Sequence, residues 1–186
     1  MRLAKARIAP LTDAEFSDDQ KKALEPFGGR VLNIFRTLVR APKAFERFNQ
    51  WGGYILSRRN DLPAREREIV ILRTGFLCKS GYEWTQHVGI GKREGLTDDE
   101  IARIKQGAGA GWSAADAALI RASDELHKDQ FITDATWAAL SAHFSEKQRM
   151  DVVFTVGQYT QVSMMLNSFG VQLDPGQTLD PDLKGF

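Results

Sequence analysis

With 186 residues, 42% hydrophobic and 26% charged, the chain suits one domain with a sizeable core and ordinary globular composition. A net charge of +1 gives no electrostatic reason for a nucleic-acid partner or an acidic membrane surface. The single cysteine excludes an intramolecular disulfide, a cysteine-only metal site and dithiol redox chemistry within one subunit.

Met1 to Pro10 is basic but has no apolar run, so it does not read as a secretory signal. No stretch approaches the ~20 apolar residues that span a membrane. The longest candidate, Ile69 to Cys78, is cut by Arg73. A soluble protein of the reducing cytoplasm is expected.

The chain reads as helices punctuated by caps, with an all-α fold expected. Helices are predicted over 12–25, 30–39, 42–58, 63–78, 80–94, 97–106, 113–129, 133–143 and 145–169. Ser/Thr-x-x-Glu/Gln/Asp patterns, in which side chains satisfy the free amides of a helix start, occur at Thr12, Thr97, Ser113 and Ser145. Pro42 and Pro63 stand where helices enter. Ile69-Val70-Ile71-Leu72 and Val152-Val153-Phe154 are short β-branched runs, but each lies in a longer helical frame. Gly107-Ala108-Gly109-Ala110-Gly111 reads as a joint, with Trp112 anchoring its far end. It lacks the Gly-Lys-Ser/Thr ending of a phosphate loop. After Leu173, Pro175, Gly176 and Pro181 imply an extended tail, loose or laid on a neighbouring subunit.

Chemistry concentrates between Arg67 and His87. Glu83 and His87 are four apart, so on a helix they share one face. Two roles are open to Glu83. With Ser80 it completes a capping box, reaching back to the Ser80 amide; alternatively it orients His87 for acid–base work. Glu68 stands between charged Arg65-Glu66-Arg67 and apolar Ile69-Val70-Ile71-Leu72, so it enters the interior or pairs with Arg65 or Arg73. If helices 63–78 and 80–94 fold back on each other, Glu68 and His87 face each other across the hairpin. Cys78 is a core thiol or a single reactive one, and Tyr82 and Trp84 are core aromatics or pocket walls. A metal is not expected, because no third and fourth ligand accompany Glu83 and His87.

Glu68, then Ser80-x-x-Glu83-x-x-x-His87, then Gly95-Leu96-Thr97-Asp98-Asp99-Glu100-Ile101 resembles the carboxymuconolactone decarboxylase and AhpD-like alkylhydroperoxidase superfamily. Leu166-Asn167-Ser168-Phe169-Gly170-Val171 resembles it too. The likeness spans about Val31 to Leu173 and is strongest from Pro63 to Ile101. It implies one domain over 1–186, with a core at about 31–173, an N-terminal arm and the C-terminal tail. It also implies an AhpD-like fold of about seven to nine helices and a homo-oligomer, a trimer or hexamer.

In the peroxidase branch a Cys-x-x-Cys pair opens the histidine helix. Here those positions are Ser80 and Glu83, so a dithiol peroxidase cycle is not expected, and Cys78 would support single-thiol chemistry alone. The decarboxylase branch keeps a glutamate four residues before the histidine and acts on a carboxylated lactone without metal or organic cofactor. The resemblance therefore implies a cofactor-independent enzyme on a small carboxylated or lactone-type substrate. His87, Glu83 and Glu68 would be catalytic, and Ser80, Tyr82 and Trp84 would line the pocket. A Cys78 antioxidant enzyme and a non-catalytic helical oligomer are the competing readings.

Overall fold

The computed structural model describes residues 1–29 and 31–185. Arg30, where the second predicted helix begins, lies outside the described residues. Among those described, the chain forms nine α-helices and three 3₁₀ turns, with no strand. The helices are α1 (Asp18–Leu24), α2 (Asn33–Leu38), α3 (Pro42–Leu56), α4 (Ala64–Leu77), α5 (Gly81–Arg93), α6 (Asp98–Gln106), α7 (Ala114–Asp129), α8 (Asp134–Ser141) and α9 (Glu146–Phe169). The all-α expectation holds, and both β-branched runs lie inside helices, in α4 and α9.

The first predicted helix is broken. Glu15 folds back to accept from the Thr12 amide at 2.7 Å, closing a 3₁₀ turn. Ser17 then starts α1 with its own box, Gln20 accepting from the Ser17 amide at 3.0 Å. Two start signals five residues apart cannot share one helix.

α4 is the axis of the fold. Arg67 through Gly75 are buried without interruption, and α5, α7 and α9 pack around them. A helix enclosed on all sides carries no amphipathic stripe, which is why its sequence looks strand-like. The largest core cluster joins α4 to α6, α7, α8 and α9 through residues such as Leu72, Ile104, Leu119 and Val156. A second joins α4, α5 and α9 through Ile71, Tyr82, Tyr159 and Val162.

The reversal between α4 and α5 is a Schellman turn. The Lys79 amide donates to Phe76 O and the Ser80 amide to Gly75 O, both at 2.9 Å. Lys79 supplies the left-handed residue, with φ 55°. Two glycines then allow close packing, Gly75 of α4 against α5 and Gly91 of α5 against the loop that follows it. A Cβ on Gly75 would sit 3.3 Å from Glu83 Cγ, and one on Gly91 would sit 2.9 Å from Leu96 Cδ1.

The tail is extended but lies on its own chain rather than loose. Asp174 and Leu183 are buried, and the Met1 amine donates to Leu183 O at 2.6 Å. The N-terminal arm also caps α9, the Arg7 and Ile8 amides donating to Phe169 O at 2.8 and 3.1 Å. The Gly-rich joint behaves as expected: Trp112 Nε1 donates to Gly107 O at 3.2 Å.

Gly170 ends α9 with φ 70°, and a Cβ there would lie 2.9 Å from Lys5 O. Gly170→Ala should cost about 1–2 kcal/mol from the left-handed backbone alone, with the displaced arm adding to it. Urea denaturation reads the loss, and an unchanged midpoint would contradict the arm's role.

Candidate functional site

The hairpin brings Glu68 and His87 together. Nδ1 of His87 lies 2.7 Å from Oε2 of Glu68, and Nε2 lies 2.9 Å from Oε1 of Glu83. All three residues are buried, Glu68 almost completely. The Arg alternatives for Glu68 are excluded by prior pairing. Arg65 bonds Glu100 and, at 3.1 Å, Asp116. Arg73 bonds Asp124 at 2.6 Å and Ile104 O at 2.8 Å.

The capping reading of Glu83 fails. Ser80 makes no side-chain cap, and its buried hydroxyl has no partner. The Schellman turn occupies the Ser80 amide with Gly75 O, so nothing remains for Glu83 to reach. Glu83 turns instead along its helix to His87. Its Oε1 is at ion-pair distance but not aligned for a hydrogen bond, and it has no donor.

Burial opposes charge on His87. The nearby carboxylates outweigh it, Glu68 first and Glu83 second, and push the imidazole up to about 10. At neutral pH the centre therefore holds an imidazolium between two carboxylates.

His87 and Glu83 line a cavity of about 270 Å³. Its walls are mainly apolar, from Phe35 on α2, Phe48 and Leu56 on α3, Ile90 on α5 and Val162 on α9. Glu68 does not line it and touches it through His87. Tyr82 lines it as expected, its hydroxyl donating to Asp174 at 2.6 Å. Burial, then that bond, hold the phenol well above its usual range.

Trp84 and Ser80 do not line the cavity. Trp84 packs on Phe76 with ring centroids 5.6 Å apart, and its indole donates to Asp180 at 3.0 Å. α5 turns it away from the His87 face. Cys78 also lies apart from the cavity, its Sγ 3.6 Å from His127 Nδ1. Burial raises its thiol, which works against a reactive thiolate. Among the described residues, no group of three or more His, Cys, Asp and Glu is placed to hold a metal ion. No helix among them is long and apolar enough to cross a membrane.

Residues 42–124 match the model of the carboxymuconolactone decarboxylase family. That segment runs from α3 into α7 and contains Glu68, Glu83 and His87. The sequence likeness to that family covers 83 of the chain's 186 residues. A peroxidase-related protein from Ralstonia eutropha JMP134 with an AhpD core is 20% identical, with 90% of this chain and 93% of that one covered and a TM-score of 0.77. One from Silicibacter sp. TM1040 is 12% identical, covers 93% and 95%, and gives 0.78. The debrominase Bmp8, solved with 2,3,4-tribromopyrrole, is 11% identical, covers 92% and 94%, and gives 0.74. At these identities the likeness is one of fold. No curated protein matches the chain.

The superfamily residues account for one wall of the cavity. The opposite wall, Gln158 and Tyr159 on α9, escaped sequence reasoning. Tyr159 meets the His87 ring edge-on at 4.9 Å. Burial raises its phenol well above the usual range, followed by the charges of Glu83 and Glu68. The available signal was the spacing of Asp151, Thr155, Gln158, Tyr159 and Val162, a polar-interrupted face on a helix buried along that side.

A His87 pKa raised above its unfolded value contributes stability that is complete below about pH 6.5. That contribution is lost as pH rises through about 10. The stability difference between wild type and His87→Gln should therefore shrink from neutral pH to about 10. NMR titration of the His87 ring checks the cause directly. A midpoint near the ordinary ~6.5 would show that the carboxylates do not hold the charge.

Proposed function

We propose that the chain is a cofactor-independent acid–base enzyme acting on a small lactone-type or carboxylated substrate, akin to carboxymuconolactone decarboxylase. The observation that carries this reading is the buried Glu68–His87–Glu83 chain at the wall of an apolar cavity. Glu68 fixes the ring through Nδ1 and keeps it charged, leaving the Nε2 edge and Glu83 toward the substrate.

Two reactions use this set. In proton transfer beside a carbonyl, Glu83 Oε1 takes the α-proton, and the C–H electron pair moves into the enolate. The Nε2–H dipole and the imidazolium charge stabilise the enolate oxygen. In decarboxylation, the C–C bond breaks, carbon dioxide departs, and the remaining pair on carbon takes the Nε2 proton. Solvent then recharges His87. Either reaction gains from a water-poor cavity, where charge–charge interactions strengthen.

Assembly into a homo-oligomer is part of the proposal. Exposed Trp51, Val153 and Met164 surround one shallow surface concavity, and Val153 joins Phe131 and Trp137 around another. Such apolar exposure suits contact between copies. Light scattering on the purified protein tests it, and a monomer at working concentration would refute it.

Deuterium uptake into the butenolide α-angelica lactone, followed by proton NMR, tests the chemistry. Wild type should accelerate uptake. His87→Gln and Glu83→Gln should each lower the rate by about 10²-fold or more while circular dichroism stays helical. Cys78→Ser should leave the rate unchanged. Uptake that survives both active-centre substitutions would refute the acid–base reading.

A further inference from the structure

Two buried oxygens at this cavity have no aligned hydrogen-bond donor. Oε1 of Glu83 is one, held by its ion pair with His87 Nε2 at 2.9 Å, and Oε1 of Gln158 is the other. Each residue is 4% exposed, and both line the cavity. Buried polar atoms are nearly always paired in native proteins, so two orphans at one cavity point to a missing occupant. The amide of Gln158 faces α3 at Gly52, where a Cβ would lie in ordinary contact, 3.5 Å from Nε2.

The chemistry of the orphans restricts that occupant. A carboxylate oxygen is satisfied only by a donor, so the ligand must bring an O–H or N–H to Glu83. Glu68 and Glu83 surround one imidazolium, so this end carries a net negative charge and repels anions across a low-dielectric space. The remaining wall is apolar and selects an apolar body. On the opposite wall the amide presents Oε1 to a hydroxyl, and turned by half a rotation about its last bond it presents Nε2 to a carbonyl.

We propose that the cavity takes an uncharged, largely apolar ring molecule that presents an O–H or N–H donor to Glu83 and is held at a second polar atom by Gln158. Gln158 is thus a specificity-determining residue. This assignment rests on the reading of the His87 cavity as the active site, and within that reading it favours uncharged substrates that carry a hydroxyl or N–H over carboxylated ones.

The probes are 4-hydroxyacetophenone, which offers a hydroxyl, a ring and a carbonyl without charge, and 4-hydroxybenzoate, which replaces the ketone with a carboxylate. Affinities are measured by ligand-observed NMR in mildly acidic buffer, where the phenol stays protonated. Wild type should bind the ketone at least about tenfold more tightly than the benzoate. Gln158→Leu should lose about tenfold for the ketone and leave the His87 titration in place, since the amide does not touch the ring charge. Gln158→Glu, close in shape, should also weaken the ketone and keeps the test available if the leucine variant does not fold.

Equal or tighter benzoate binding, no ketone binding by wild type, or ketone affinity unchanged in the folded variants would overturn the assignment. The two proposals fail separately. Ketone selectivity without lactone exchange sinks the acid–base reading alone; exchange lost in His87→Gln alongside benzoate preference sinks the substrate class alone.

Discussion

The contact on which the rest depends is the 2.7 Å pair between Glu68 and His87. Neither residue could stand alone at its depth. A lone carboxylate inside α4 would meet a desolvation cost of several kcal/mol, and an unpaired imidazole there would shed its proton. Together they stay charged and fix α5 against α4 in one register. A helix axis enclosed on all sides can hold a charge only if its partner arrives from the neighbouring helix, and the Schellman turn at Lys79 delivers it. The small residues serve the same end: Gly75 admits Glu83, and Gly91 admits Leu96 against the end of α5.

The arginines of α4 explain why the pair is exclusive. Arg65, Glu66, Arg67 and Arg73 flank Glu68 in sequence, and any of the guanidiniums could have claimed it. Each is directed elsewhere. Arg65 faces Asp116 and Glu100, and Arg67 turns to the carbonyls of Ser57 and Leu62 at 3.3 and 3.4 Å. Arg73 clasps Asp124 and the end of α6. Arg65 stands only three residues from Glu68, on a neighbouring part of the same helix face, so it is its pairing with Asp116 and Glu100 that leaves Glu68 to His87.

Helix identity and most helix positions were legible because caps and apolar spacing are local. The His87–Glu68 encounter was legible too, given a hairpin, since both lie at comparable distances from the joint. What was not legible depended on competition for one group. Ser80-x-x-Glu83 has the letters of a capping box, but the Ser80 amide is already taken by Gly75 O, a fact set by the turn behind it. Trp84 sits two residues from Tyr82 and so points to another face. Neither sequence spacing nor the superfamily pattern reveals Gln158, because its meaning comes from α9 lying across from α5 and α3.

The walls of the cavity show the same division between stability and use. α3 carries Gly52-Gly53 in its interior, where each glycine gives up roughly 0.5–1 kcal/mol relative to alanine. Nothing lies within 4 Å of a Cβ built at Gly53, so no tight packing demands a glycine there. Both residues line the cavity, beside Leu56 at its exposed edge. The tail acts on the opposite wall. Asp174 accepts from the Tyr82 hydroxyl, from Gln86 at 2.8 Å and from the Asn33 amide at 2.9 Å. It thereby pins two lining side chains of α5 to the start of α2. A fold selected for stability alone would fill α3 with larger residues. This one keeps space beside an imidazolium and rigidifies the wall around it, which is the arrangement a reacting centre requires.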